Sequence, residues 1–531
     1  MIEPFAYDQV DYPSLVHPQM HPSRLAAIAR LHGIPAASPR ACRLLEVGCG
    51  DGLQLITLAM AYPDAHFVGV DLAANAIGRG EQLRKSLGLD NLQLVAADLM
   101  QWQPGPQPYD YVLAHGFYSW VPEPVRQRLL QLCNGHLGVH GIAYISYNAL
   151  PGGHLRRMLW DIMQFHVGPA QDAAASVERA RECLDLLLLG MPENTRYRTT
   201  LAGEIADLKA RFNPHVLFHD DLAAINDPCT LDQFMRAARS HELGFVAEAS
   251  YHEMSLHNAH PDARAMLEEV ARDDLVTKEQ YLDFFTGRRF RQTILCRSSA
   301  NPRPGADPSA IAELALVTEL ESSPQLSNAQ AGMRFTRPSS GGLETDDTIV
   351  QAMLVACGSR HPQSLPVTSL AQAARVMADV DELSADDMRR VYVFLLRAFE
   401  AGLVELHVDA PDFSRTAPVR PTASPLARRQ AAAGEAQVTS LRPLSVQLED
   451  PVTCSLLLAL DGTRDRDAIL SFMRERLSQA REGEQPVGGA GVYDPDTLKT
   501  QLDAALARMA ALALLCADTG NPEGPRDQRT R

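Results

Sequence analysis

The chain has 531 residues, 46% hydrophobic and 21% charged, which is the composition of a folded protein of several domains and excludes a largely disordered or fibrous one. Acidic residues number 65 against 49 basic, a net charge of −16, so the chain as a whole is not drawn to phosphate backbones and no nucleic-acid partner is expected. Nine scattered cysteines, odd in number and without a C-x-x-C pair, indicate no zinc framework and no disulfide scaffold; with neither a signal-like N-terminus nor an apolar run of about eighteen residues, a cytoplasmic protein without a membrane span is expected.

In chain order, Arg43–Val47 reads as a strand, followed by a glycine-rich turn and an apolar helix over Leu53–Ala61. His66–Val70 is a second strand, Ala76–Leu87 a helix, Leu92–Ala96 a third strand and Tyr109–Ala114 a fourth. A helix over Val125–Leu132 and a fifth strand over Gly141–Tyr147 follow. This alternation predicts an α/β domain with a mostly parallel sheet and helices on both faces. From Leu155 to about Ala224 the pattern is helical, most clearly over Glu178–Leu189. Leu231–Ser240 is a helix stopped by Gly244, and Phe245–Ser250 and Phe290–Cys296 are late strands suited to complete the same sheet. Ser298–Gly305 has the composition of a linker. Beyond it, Thr348–Cys357 and Ala385–Ala401 read as helices, Leu403–Val408 as a strand and Pro411–Pro425 as a second linker. Helices over Val452–Leu460, Asp467–Leu477 and Asp496–Leu515 close the chain, with a Gly/Glu-rich loop at Gln479–Gly491 and a polar tail from Asp518 that is expected to be disordered.

The sharpest signal is the run Leu44–Gly52, which places Gly48, Gly50 and Gly52 between the first strand and the first helix. Glycines there permit a tight turn and let a ligand approach backbone N–H groups. The spacing is G-x-G-x-G; a dinucleotide fingerprint would want its third glycine where Leu53 stands. Asp71 ends the second strand, where a carboxylate can accept both hydroxyls of a ribose, and Asp98 ends the third, placed to meet an adenine amino group.

With that constellation, residues 43–147 resemble the class I S-adenosylmethionine-dependent methyltransferases. The resemblance implies a Rossmann-like, seven-stranded sheet with a helical insertion, and S-adenosylmethionine as cofactor. It implies that Gly48, Gly50 and Gly52 pack against the methionine half, that Asp71 binds the ribose and Asp98 the adenine end, and that Glu46 holds the loop by hydrogen bonds. Cys49, Leu72, Leu99 and His115 are expected in the same pocket. The flanks Tyr7–Ser14, Gln19–Leu25, His115–Val121 and Ser146–Gly152 are similar to a narrower group, bacterial methyltransferases with a methyltransferase regulatory domain. That group includes protein-lysine methyltransferases acting on an outer-membrane surface protein. Met20 stands where the group would have threonine. By this resemblance the regulatory part runs from about Phe218–Leu222 to Arg297, and the C-terminal modules are winged-helix-like, one of them around Leu457–Arg464. The expected division is a methyltransferase core over 1–154, insertion and regulatory region over 155–298, a middle module over 305–410 and a winged-helix-like module over 426–517. Tyr12, His21 and Arg24 are expected to form a lid over the cofactor, the alternative being an arm packed on the sheet.

Tyr118 and Trp120 follow the fourth strand, where aromatic faces can orient a lysine stem, and Tyr147 and Asn148 end the fifth, where they can hold a nucleophile by hydrogen bonding. For the same four residues the alternative is core packing and turn formation. The site lacks the Asn-Pro-Pro-Tyr of adenine and glutamine methyltransferases, having His115-Gly116-Phe117 instead. His257 and His260 read as surface residues, and no metal ligand set is expected. The activity so implied is methyl transfer to lysine side chains of a protein, with a small-molecule N- or O-methyltransferase or a non-catalytic cofactor-binding module as alternatives. A lysine amine, with a free pKa of about 10.4, would be deprotonated with help from a nearby sulfonium and an apolar channel, without a strong general base. The acidic balance favours docking or homodimerisation over DNA binding for the C-terminal modules. On this reading, Asp71→Ala weakens cofactor binding by about 1–3 kcal/mol, the cost of leaving polar groups unpaired; calorimetry checks it, and an unchanged affinity refutes the ribose assignment.

Overall fold

A computed structural model describes the chain except residues 1–11, 169–171, 211–212, 273, 324–331, 339–340, 410–412, 449–450, 482–494 and 518–531. The expected roles of Tyr7–Asp11, of most of the Gly/Glu-rich loop and of the tail from Asp518 therefore lie outside the described residues, as do Pro411 and Asp412 of the second linker. Two units are distinct, the first mainly Gln19–Ala310, the second mainly the described parts of Ile311–Ala398 and Leu403–Arg531.

The first unit begins with α1 (Pro22–Leu31) and alternates β1 (Arg43–Val47), α2 (Leu53–Ala61), β2 (His66–Asp71), α3 (Ala74–Leu87), β3 (Leu92–Ala96), β4 (Tyr109–Ala114), α4 (Glu123–His136) and β5 (Leu137–Asn148). Then come α5 (Gly153–Val167), α6 (Ala173–Gly190), α7 (Arg196–Ala210), α8 (Leu231–Ser240), β6 (Leu243–Glu248), α9 (Pro261–Ala271), α10 (Leu275–Thr286) and β7 (Phe290–Arg297). The seven strands form one sheet in the order β3-β2-β1-β4-β5-β7-β6. β1 to β5 run parallel, and β7 enters antiparallel between β5 and β6. The two late strands thus complete the sheet. β6 starts earlier than Phe245, because Glu242 (φ 56°), not Gly244, makes the left-handed turn after α8.

Strand alternation puts Leu45, Val112, Ala143, Ile145 and Tyr147 on one face, where α4 and α8 cover them with Leu129, Leu130, Phe234 and Met235. Helices α5, α6 and α7 have a separate core of Leu159, Met163, Val177, Ala180, Leu184, Leu201 and Ile205, so the insertion is a helical layer of its own. Near its end, residues Leu217–Asp221 widen into a π-helical turn, a local feature frequent at functional sites.

In the second unit, Ala315–Val317 pairs antiparallel with Leu365–Pro366 and Glu405–His407. Farther on, a hairpin of Gln437–Thr439 and Ser445–Gln447 accompanies helices Pro425–Ala432, Pro451–Ala459, Arg466–Arg481 and Pro495–Ala511. They share a core containing Leu457, Leu460, Ile469, Leu506 and Leu514. Helix Arg466–Arg481 continues past Gln479, where the loop was expected to begin. Among the described residues, no helix is long and apolar enough to cross a membrane.

Arg291 of β7 is fully buried, and its guanidinium meets Asp283 at 2.8 and 2.9 Å, Glu248 at 2.6 Å and Glu279 at 3.3 Å, all three equally buried. Burial pushes the Glu279 carboxyl up to about 7 against the pull of Arg291 and Arg288. Removing one partner of such a group leaves the others charged and unpaired, at a cost of about 3–5 kcal/mol. Arg291→Met is therefore expected to lower the stability of the first unit by that amount, read as the shift of its urea transition.

Candidate active site

The C-terminal edge of the sheet carries the glycine loop. Gly48 N–H and Cys49 N–H donate to the Val70 carbonyl at 2.8 and 3.4 Å, which folds the loop back over β2. Gly48 has φ 73°, and a Cβ there would sit 2.7 Å from the Phe117 ring. At Gly50 (φ 57°) a Cβ would have nothing within 4 Å, so the loop opens onto space at that point. Asp71 accepts from Gly50 N–H and from Ala73 N–H, both at 2.8 Å. Glu46 was expected to secure the loop; instead its Oε2 is buried without a hydrogen-bond partner among the described residues, and Asp71 has the securing role. The physical reason is position: Asp71 ends β2 beside the turn, whereas Glu46 lies within β1 beneath it. Burial, followed by the negative charges of Asp71 and Asp51, pushes the Glu46 carboxyl up to about 8. Ser14 donates to Asp51, and Leu53 N–H donates to its other oxygen at 3.1 Å, tying the N-terminal arm to the loop. Asp98, half-buried, accepts from Met100 N–H at 2.9 Å.

Next to this edge, beyond β4 and β5, a cavity of about 340 Å³ is lined by Trp120, Asn148, Arg156, Asp220, Asn226 and Phe290, among others. Asn148 N–H donates to Ser119 Oγ at 2.9 Å, and Gly116 N–H to Ser146 Oγ at 2.8 Å, which lock the two strand ends together. The Asn148 amide donates to Asn226 Oδ1 at 3.1 Å, leaving its own carbonyl oxygen as an acceptor. His115 shares a 2.8 Å hydrogen bond with the Tyr144 hydroxyl and packs edge-on against Phe290.

The structure brings Trp120 and Asn148 together on the cavity wall but not Tyr118 and Tyr147. Tyr147 faces the opposite side of β5 from Asn148, since successive side chains alternate; it stacks on Phe234 at 4.3 Å, and its hydroxyl meets Thr293 Oγ1 at 3.2 Å. Tyr118 is buried beside both, 5.1 Å from Phe234, with Arg126 over its ring. For these two, core packing is the observed placement. Cys49 and Leu99 are buried, and Leu72 is half exposed after β2. His21 caps α1, its Nδ1 accepting from Ser23 N–H, and its ring meets Tyr62, which ends α2 at the end away from the glycine loop. Tyr12 instead reaches His219, at 5.6 Å between rings, and hydrogen-bonds Asp220. Asp220, Asn226 and Phe290 were not singled out from the sequence; the signal for the first was the adjacent carboxylate pair in Phe218–Leu222.

Three family models match: "Methyltransferase domain" over residues 44–141, "Predicted methyltransferase regulatory domain" over 213–297 and "PKMT, C-terminal winged helix domain" over 420–514. An uncharacterised protein of Rickettsia prowazekii is 36% identical over 293 residues, 55% of this chain and 52% of that protein. The chain thus spans about half the length of that relative. A second from the same organism is 28% identical over 44% of this chain and 94% of its own length. The solved structure of PKMT2 from Rickettsia typhi superimposes with a TM-score of 0.82 at 24% identity, covering 95% of this chain and all of that one, and it has also been solved in complex with AdoHcy. Strand order and glycine loop are those of the class I S-adenosylmethionine-dependent methyltransferase fold, and the methyltransferase-domain match falls on residues 44–141 of it. More narrowly, the chain is one in which that domain is joined to a methyltransferase regulatory domain and a PKMT winged-helix domain.

S-adenosylmethionine, the cofactor of this class, carries an ammonium and a sulfonium, and the edge fits such a cation. Glu46, Asp51 and Asp71 concentrate negative charge around the opening at Gly50, and a buried Glu46 oxygen lacks a partner among the described residues. A bound cation favours ionised Glu46, so binding should release a proton at neutral pH and tighten as pH rises from about 6 toward 8, then level off above the pKa of the free protein. Calorimetry in two buffers of different ionisation heat should show this release for the wild type and its loss in Glu46→Gln.

Proposed function

We propose that the protein transfers the methyl group of S-adenosylmethionine to the ε-amine of a lysine in a protein acceptor. The observation that carries this reading is the cavity at the ends of β4 and β5, beside the glycine loop, walled by Trp120, Phe290 and Asn148. The winged-helix match named for PKMT, and the fold shared with PKMT2, support a protein acceptor.

Bound S-adenosylmethionine supplies an electrophilic methyl. The loop backbone, Glu46, Asp71 and Asp98 would hold it, Glu46 for the ammonium, Asp71 for the ribose and Asp98 for the adenine. Trp120 and Phe290 present apolar surface to an aliphatic stem and keep water from the reacting atoms. The Asn148 carbonyl oxygen accepts an N–H of the entering amine and aims its lone pair. The second unit docks the acceptor or pairs two copies. Nine free cysteines, with no disulfide between them, support a cytoplasmic location.

Labelled cofactor incubated with lysate fractions should deposit label on protein, with N-methyl-lysine found by mass spectrometry; label confined to small molecules or nucleic acid overturns the reading. Trp120→Ala is expected to lower turnover by about a hundredfold, as misplacing a reacting group does, with cofactor affinity unchanged. Lost affinity with normal turnover at saturating cofactor would place Trp120 in the cofactor pocket instead.

A further inference from the structure

The segment after α7 lies along α5 through a series of polar contacts. Arg156 donates to both oxygens of Asp221 at 2.6 and 2.7 Å, Arg157 donates to the Asn226 carbonyl, and Trp160 and Gln164 donate to the Ala223 carbonyl at 3.1 and 3.0 Å. These contacts set the π-helical turn Leu217–Asp221 against the cavity and give its two adjacent carboxylates different surroundings. Asp221 is buried in a two-pronged ion pair with Arg156. Asp220 lines the cavity and accepts a hydrogen bond from the Tyr12 hydroxyl, and no arginine or lysine forms an ion pair with it among the described residues.

We propose that Asp220 receives the ammonium of the methyl acceptor in this cavity and takes its proton, so that the site selects a primary alkylammonium over a neutral or anionic group of the same size. This rests on the reading of the protein as an amine methyltransferase.

The charges around the cavity favour a cation once their partners are followed. Three arginines line it, but each is engaged: Arg156 with Asp221, Arg157 with the Asn226 carbonyl and with Asp161 at 3.4 Å, and Arg289 with Glu204 at 2.9 Å. Asp207 also lines it and is exposed. Asp220 thus remains as the inward-lying carboxylate without a cationic partner, in the cavity whose Trp120 and Phe290 suit an alkyl stem. Burial, then the charge of Asp221, pushes its carboxyl up to about 7, with Arg156 and the Tyr12 hydrogen bond opposing. A base of that strength is better matched to an ammonium than an ordinary carboxylate, and still returns its proton to water at neutral pH.

In the proposed step an ammonium N–H bond breaks, its electron pair stays on nitrogen, and the proton goes to an Asp220 oxygen. The freed pair then forms the nitrogen–carbon bond to the methyl while the carbon–sulfur pair leaves with sulfur. Asp220 next releases its proton to solvent. The Asn148 carbonyl oxygen, on the same wall, accepts one of the remaining N–H groups.

Binding of n-butylammonium, n-butanol and n-butyrate to the full-length protein, followed by saturation-transfer NMR, tests this. At about pH 8 the ammonium should bind at least about tenfold more tightly than either isostere, and this preference should fade as pH drops through about 7, where Asp220 takes up its proton. Asp220→Asn should abolish the preference and Asp220→Glu retain part of it. Tyr12→Phe, which removes only the hydrogen bond, should move its onset to higher pH. A preference for butyrate, no preference at all, or a preference unchanged in folded Asp220→Asn overturns the proposal. Should Asp220→Asn not fold, an unmoved onset in Tyr12→Phe overturns it as well. N-methyl-lysine formation decides the proposed function separately, because the probe titration requires no turnover.

Discussion

The buried ion network around Arg291 fixes the register of β7, and one wall of the acceptor cavity depends on that register. β7 pairs Phe290 with Asn148 and Arg291 with Tyr147 across β5. A slip of one residue would turn every side chain of β7 to the other face. Arg291 forbids it, because its charge is neutralised only where Glu248 of β6 and Asp283 and Glu279 of α10 converge. With the register fixed, Phe290 reaches the cavity and packs edge-on against His115, and Thr293 meets the Tyr147 hydroxyl within the core. An antiparallel strand thus sets one wall of a site on an otherwise parallel sheet.

The two halves of the site use charge in opposite ways. Around the glycine loop, burial and then the charges of Asp71 and Asp51 raise Glu46, and this group of carboxylates favours a cationic cofactor. Around the acceptor cavity, positive charges are abundant but each is engaged by an internal partner. The N-terminal arm reaches both halves, through Ser14 at Asp51 and Tyr12 at Asp220. Residues eight and ten positions before α1 thereby touch the cofactor loop and the acceptor wall, while His21 caps the helix itself.

The sequence by itself determined the class of fold, the position of the glycine loop and the carboxylates at the ends of β2 and β3. These are local features: a strand, a turn and a helix written in consecutive residues, with spacing that sterics and hydrogen bonding constrain directly. What only the tertiary structure decided was which side chains meet. Tyr118 and Tyr147 looked as suitable for the acceptor wall as Trp120 and Asn148, but strand alternation and the docking of α8 took the two tyrosines into the core around Phe234. Asp71, not Glu46, secures the loop, because the deciding hydrogen bond joins residues 21 apart in sequence. Asp220 stood in a visible pair of carboxylates, yet nothing in the sequence distinguishes it from Asp221. The distinction arises when α5 brings Arg156 to one of them and the arm brings Tyr12 to the other, contacts across 65 residues and more that no local pattern encodes.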